Sequence, residues 1–116
     1  MSKTAEQERW HQHLRDEGCC IQGEMSDGRN AIHHIKGRKA NLKGVKGFGE
    51  WYVICLSYWH HQDGRNPSAR HINKYRFELE NGSEKDLFIE SVKRYQEIYG
   101  KNPMEEFEYQ QIIERA

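Results

Sequence analysis

The sequence predicts a small α+β domain over residues 1–116, in which two short strands and a histidine-bearing helix form a ββα unit at about 18–76, flanked by helices. Three observations predict it. The 116 residues suffice for one domain and fall short of two ordinary ones. Two stretches of strand-like apolar content, 31–35 and 50–56, lie on either side of a glycine-rich basic loop. Both ends of the chain carry helix punctuation, a capping residue ahead of apolar spacing and glycine or proline at the limits.

Taken in order, Thr4 caps a helix over 4–17, with Gln7 three residues on as in a capping box. Trp10 and Leu14 share one face of it, and Gly18 stops it. His11 and His13 read as solvated residues, because a ligand pair on one helix wants a spacing of three or four. Gly18 to Gly23 is a tight knuckle-like loop holding Cys19 and Cys20, and Met25 to Asn30 is a turn. Ala31 to Ile35 is the first strand. Lys36 to Gly49 carries four glycines and five basic residues without helix or strand periodicity. It reads as a mobile basic loop whose backbone can approach phosphate.

Glu50 to Leu56 is the second strand, and Ser57 caps a short helix bearing His60 and His61. Gly64 and the turn Asn66-Pro67-Ser68 end that helix, and Ser68 caps a further short helical piece, Ala69 to Lys74, carrying His71. After a turn at Glu80 to Ser83, Ser83 caps a strong helix over 83–99 that closes at Gly100. Its apolar face of Leu87, Phe88, Ile89, Val92, Tyr95 and Ile98 reads as packing throughout. Asn102-Pro103 opens the last helix, 103–115, whose Phe107, Ile112 and Ile113 cover the core or meet another subunit.

Hydrophobic residues make up 35 % of the chain and charged residues 31 %, yet 11 % aromatic content argues for a thin, aromatic-rich core over disorder. No signal peptide is expected from Met1-Ser2-Lys3-Thr4-Ala5-Glu6, and no stretch approaches the ~20 apolar residues of a membrane span. A cytoplasmic protein without a membrane partner is therefore expected. Cys19, Cys20 and Cys55 are an odd count with two adjacent, which suits ligation or burial of thiols in a reducing compartment, not a disulfide framework.

Formal net charge is zero, but residues 29–76 hold ten basic residues against only Glu50 and Asp63, a local +8. Such a segment suits a polyanionic partner such as nucleic acid. The competing reading is that the acidic flanks fold back and pair with it.

Five of the seven histidines fall between positions 33 and 71, which makes a metal-dependent site the leading reading. Neighbouring strand residues face opposite ways, so one of His33 and His34 can ligate a metal while the other acts as base. His60 or His61, with His71, completes an all-imidazole set, which suits zinc and other transition metals better than magnesium. A single ion with open positions leaves room for water and phosphate. It can stabilise the scissile oxygens of a phosphodiester while a neutral histidine takes the proton from water.

The order Ile32-His33-His34, basic glycine loop Lys43 to Gly49, Leu56-Ser57-Tyr58-Trp59-His60-His61, His71 and Phe77-Glu78-Leu79-Glu80-Asn81-Gly82 resembles the HNH or ββα-metal nucleases. More narrowly it resembles the Ref family, phage recombination enhancement nucleases that cut DNA in dependence on the RecA recombinase. The resemblance covers about residues 18 to 95. It implies His33, His61 and His71 as metal ligands and His34 as general base. It also implies a separate structural zinc at His60, with cysteines as the other ligands. Here the chain departs from the pattern: Gln22 stands where a second cysteine should follow Cys19, and Leu56-Ser57 replaces Leu-Cys. Cys19 and His60 alone cannot hold a tetrahedral zinc, so this metal is expected to be absent, with Tyr58 and Trp59 packing in its place. The asparagine that orients the base is also missing, leaving a backbone carbonyl or the Tyr52 hydroxyl as the expected substitute for it.

The leading expectation is a small endodeoxyribonuclease using one divalent ion (zinc, magnesium or manganese), with DNA and a RecA-type recombinase as partners. Lys36, Arg38, Lys39, Lys43 and Lys46 engage the DNA backbone, which predicts weak sequence preference and strong salt dependence. The alternative is a non-catalytic DNA- or recombinase-binding module of the same shape. A metal-storing or purely structural protein is the third reading.

Overall fold

The computed structural model describes residues 3–21 and 30–116. Thr4 opens α1 (Ala5–Glu17) through a complete capping box: its hydroxyl accepts from the Gln7 N–H at 3.1 Å, and Gln7 Oε1 accepts from the Thr4 N–H at 2.9 Å. Trp10 and Leu14 on its inner face are buried, as the spacing predicts. His11 and His13 are not solvated: they are 1 % and 7 % exposed. The expectation failed because long-range partners, described below for His11 and the ring of Tyr95 for His13, make burial of these polar rings affordable.

β1 (Asn30–His34) pairs antiparallel with β2 (Val53–Ser57), with His33 opposite Ile54 and His34 opposite Val53. The turn expected over Met25 to Asn30 lies, but for Asn30, outside the described residues. The second strand begins three residues later than the sequence predicts, because Phe48–Trp51 is a short helix, α2. Three side chains of α1 hold it there. Gln7 Nε2 donates to the Gly47 carbonyl at 3.2 Å, His11 Nε2 to that of Glu50 at 2.7 Å, and Trp10 Nε1 to that of Trp51 at 3.1 Å. These tertiary bonds override the strand propensity of Trp51-Tyr52.

Two of the loop glycines are required by the local structure. Gly47 starts α2 with φ +71°, and a Cβ on the buried Gly49 would lie 2.2 Å from the Arg38 carbonyl oxygen.

α3 (Tyr58–His61) follows β2 directly, capped by Ser57, whose hydroxyl accepts from the His60 N–H at 3.4 Å. β1, β2 and α3 make the ββα unit. The helical piece expected over Ala69 to Lys74 does not form. The Arg70 and His71 N–H groups instead donate across the chain to the His60 and His61 carbonyls at 2.8 and 2.9 Å. Asn73 then caps α4 (Lys74–Asn81), a helix not foreseen from the sequence, which ends at Gly82.

Ser83 caps α5 (Glu84–Tyr99) through the Asp86 N–H, and Gly100 closes it in the left-handed conformation. Phe88, Val92 and Tyr95 are buried, but Ile98 is exposed, so the packing face stops short of the C-terminus. α6 is Glu106–Arg115, later than the expected start because Met104 enters the core from the preceding turn. Ile112 is buried and Phe107 is exposed.

Every residue of β2 is buried, which is why it reads as an unbroken apolar run and not as an alternation. Trp10 packs edge-on against Phe88 and Tyr95, and Phe88 edge-on against Tyr52, so α1, α5 and the sheet share one aromatic core. Among the described residues, six helices and a two-stranded antiparallel sheet give the α+β fold. No helix of the described residues is long and apolar enough to cross a membrane.

Candidate metal centre

His33 sits on the buried side of β1, His61 ends α3, and His71 is held beside it by the backbone bond to the His61 carbonyl. Ring centroids lie 5.1 Å apart for His33 and His61, 5.6 Å for His33 and His71, and 4.5 Å for His61 and His71. One donor atom from each falls within 4.8 Å of the other two. A tetrahedral ion with ~2.1 Å bonds wants donors about 3.4 Å apart, within reach of small side-chain rotations.

The donor chemistry suits a cation. The carboxylate of Glu84, at the first turn of α5, accepts from His33 Nε2 at 2.6 Å, which leaves the lone pair on Nδ1. A carboxylate behind a ligating imidazole fixes its tautomer and raises its basicity. Glu84 is in turn held by Arg70 Nε at 2.9 Å and Lys74 Nζ at 3.8 Å. Burial pushes its carboxyl upward, but the bonds from His33 and Arg70 outweigh that and hold it below the usual glutamate value. His61 Nδ1 is buried with no hydrogen-bond partner among the described residues. Burial, with His33 and His71 alongside, pushes His61 down to about 4, and burial lowers His71 as well. Both rings are therefore neutral near pH 7, the form that binds metal.

His34 faces the other way, as adjacent strand residues must. Its Nε2 lies 2.6 Å from Glu50 Oε1, so the carboxylate accepts and the lone pair resides on Nδ1. Burial lowers its basicity against the opposing pull of that bond. His11, His34 and Glu50 also bring donor atoms within 4.8 Å of one another. Tyr52, an expected orienter of His34, instead stacks on Phe48 in the core.

Lys36, Arg38, Lys39, Lys43 and Lys46 are all exposed, and none forms an ion pair among the described residues. The acidic C-terminal flank does fold back elsewhere: Glu84 holds Arg70 and Lys74. An open cleft of about 1260 Å³ has Arg38, Lys39, Lys46 and Glu50 on its wall.

At the second, doubtful site, Cys19 and His60 belong to no group of three metal donors among the described residues. The Cys20 N–H donates to the Cys55 carbonyl at 2.9 Å, and burial pushes the Cys20 thiol up and Cys55 up to about 12. Protonated thiols packed this way behave as small apolar groups. Trp59 is 39 % exposed, so it does not take over the packing expected of it.

Glu84, Glu50, Arg70 and His11 were missed from the sequence. Glu84 looked like an ordinary acidic residue in a helix's first turn. Glu50 did carry a signal, being one of only two acids in a segment of net +8.

Comparison with known proteins finds no matching family model, no matching curated protein and no matching solved structure.

Proposed function

We propose that the protein is a metal-dependent DNA endonuclease of the ββα-metal type, resembling the Ref family. The observation that carries this reading is the approach of His33, His61 and His71, from three separate stretches, to within 4.8 Å of one another, in a chain whose Lys36, Arg38, Lys39, Lys43 and Lys46 form no ion pair among the described residues. His33, His61 and His71 hold the ion, with Glu84 behind His33. When bound, a divalent ion there supplies charge relief to the scissile phosphate and the leaving oxygen. An all-imidazole set favours zinc and other transition metals over magnesium.

His34 takes the proton from the attacking water at Nδ1 as the water oxygen bonds to phosphorus and the bond to the leaving sugar oxygen breaks. Lys36, Arg38, Lys39, Lys43 and Lys46 bind backbone phosphates, giving location without sequence readout. Action beside a RecA-type recombinase in the cytoplasm belongs to the same reading and rests on the resemblance alone.

The test is nicking of supercoiled and single-stranded DNA with each divalent ion, comparing wild type with His34→Ala and His61→Ala. Cutting that is lost on chelation and falls at least about 10²-fold in His34→Ala supports the reading. Cutting unchanged by that substitution rejects the base, and no cutting with any ion favours a binding module.

A further inference from the structure

The group His11, Glu50 and His34 lies outside the proposed ligand set, and its bonds converge on Glu50. Lys3 Nζ donates to His11 Nδ1 at 3.3 Å, which fixes the proton of that ring on Nε2. His11 Nε2 then donates to the Glu50 backbone carbonyl at 2.7 Å. The Glu50 side chain accepts from His34 Nε2 at 2.6 Å. Both His11 nitrogens and His34 Nε2 are thereby occupied, and an ammonium faces the first ring. A cation in this trio would have to displace those bonds.

We infer that Glu50 and His11 are positioning residues that hold His34 in the tautomer with its lone pair on Nδ1. Helix α2 has only four residues and no side-chain cap, so it cannot hold a carboxylate in place unaided. Its position comes from α1, where His11 and Trp10 take two of its backbone carbonyls and Gln7 takes that of Gly47 just before it. His11 is 1 % exposed and so has no freedom to serve solvent. The N-terminal helix is in this way a working part of the site, and a glutamate does what the missing asparagine would do. The role of the tautomer in cutting rests on the reading of His34 as base; the tautomer itself does not.

The experiment is nitrogen-resolved NMR of the histidine rings in the full chain, with cutting rates measured alongside, for wild type, Glu50→Ala, Glu50→Gln and His11→Gln. Wild-type His34 is expected to carry its proton on Nε2. Glu50→Gln, whose amide oxygen still accepts, keeps that tautomer, as does His11→Gln, which can still donate to the Glu50 carbonyl. Glu50→Ala loses it and drops kcat about 10²-fold with KM and zinc affinity unchanged. If His34 keeps the same tautomer in Glu50→Ala, the inference is overturned. A second bound zinc that vanishes in His11→Gln overturns it too, since the trio would then be a metal site. If wild type cuts nothing but Glu50→Ala still shifts the tautomer, the positioning stands and only the base reading falls.

Discussion

Glu84 Oε2 lies 2.6 Å from His33 Nε2, although 51 residues separate the two in the chain. The bond ties the first turn of α5 to β1 and leaves His33 with one available nitrogen. Replacing Glu84 by Ala should therefore weaken zinc binding by about 10–100-fold, with Glu84→Gln intermediate. Calorimetric titration of zinc into folded protein checks this, and equal affinities in all three proteins would exclude a role for the carboxylate.

Acid should destabilise the metal-free protein. His61 falls from 6.5 unfolded to about 4 folded, and His11, His13, His34 and His71 are also lowered, burial being the first cause in each. Below 6.5 the unfolded chain then binds more protons than the folded one, so stability is present above that pH and is lost as pH falls toward about 4. Melting curves with chelator from about pH 8 to pH 4.5 should show Tm falling on the acid side. Zinc should raise Tm near neutrality and lose that effect in acid, as protons compete for the same nitrogens. A Tm indifferent to zinc at pH 7.5 would contradict this.

The basic loop should govern DNA affinity without governing stability. Arg38 and Lys39 are exposed and make no ion pair among the described residues, so Arg38→Ala/Lys39→Ala should leave Tm within a degree or two. DNA binding should weaken similarly for all sequences. The slope of log affinity against log salt should fall by about two, one for each phosphate contact removed. Fluorescence anisotropy over a salt series reads both quantities.

Gly49→Ala should destabilise by about 1–3 kcal/mol, because its Cβ would meet the Arg38 and Gly37 carbonyls at 2.2 and 2.6 Å. Denaturant unfolding measures the loss, and a variant as stable as wild type would show that the loop does not pack on α2 as described.

What was legible in the sequence was local. The Thr4–Gln7 box, the Ser57 and Ser83 caps and the Gly100 stop each depend on residues within a few positions, and the starts of α1, α3 and α5 and the end of α5 follow from them. What was hidden depends on distant partners. His11 looks solvated until the Glu50 carbonyl, 39 residues away, accepts a hydrogen bond from it. The stretch 50–52 looks like a strand until α1 captures the α2 carbonyls. The candidate site divides in the same way. Its histidines stand out by type and clustering, whereas Glu84 reveals nothing until α5 docks against β1.

The central claim is that His33, His61 and His71 share one ion. X-ray absorption on the zinc- or cobalt-loaded protein, together with bound-metal stoichiometry, tests it most directly. The account predicts one ion per chain with three imidazole ligands, abolished by His33→Ala, His61→Ala or His71→Ala and retained in His34→Ala. An ion whose ligand shell lacks imidazoles, or one that survives loss of His71 unchanged, would contradict it.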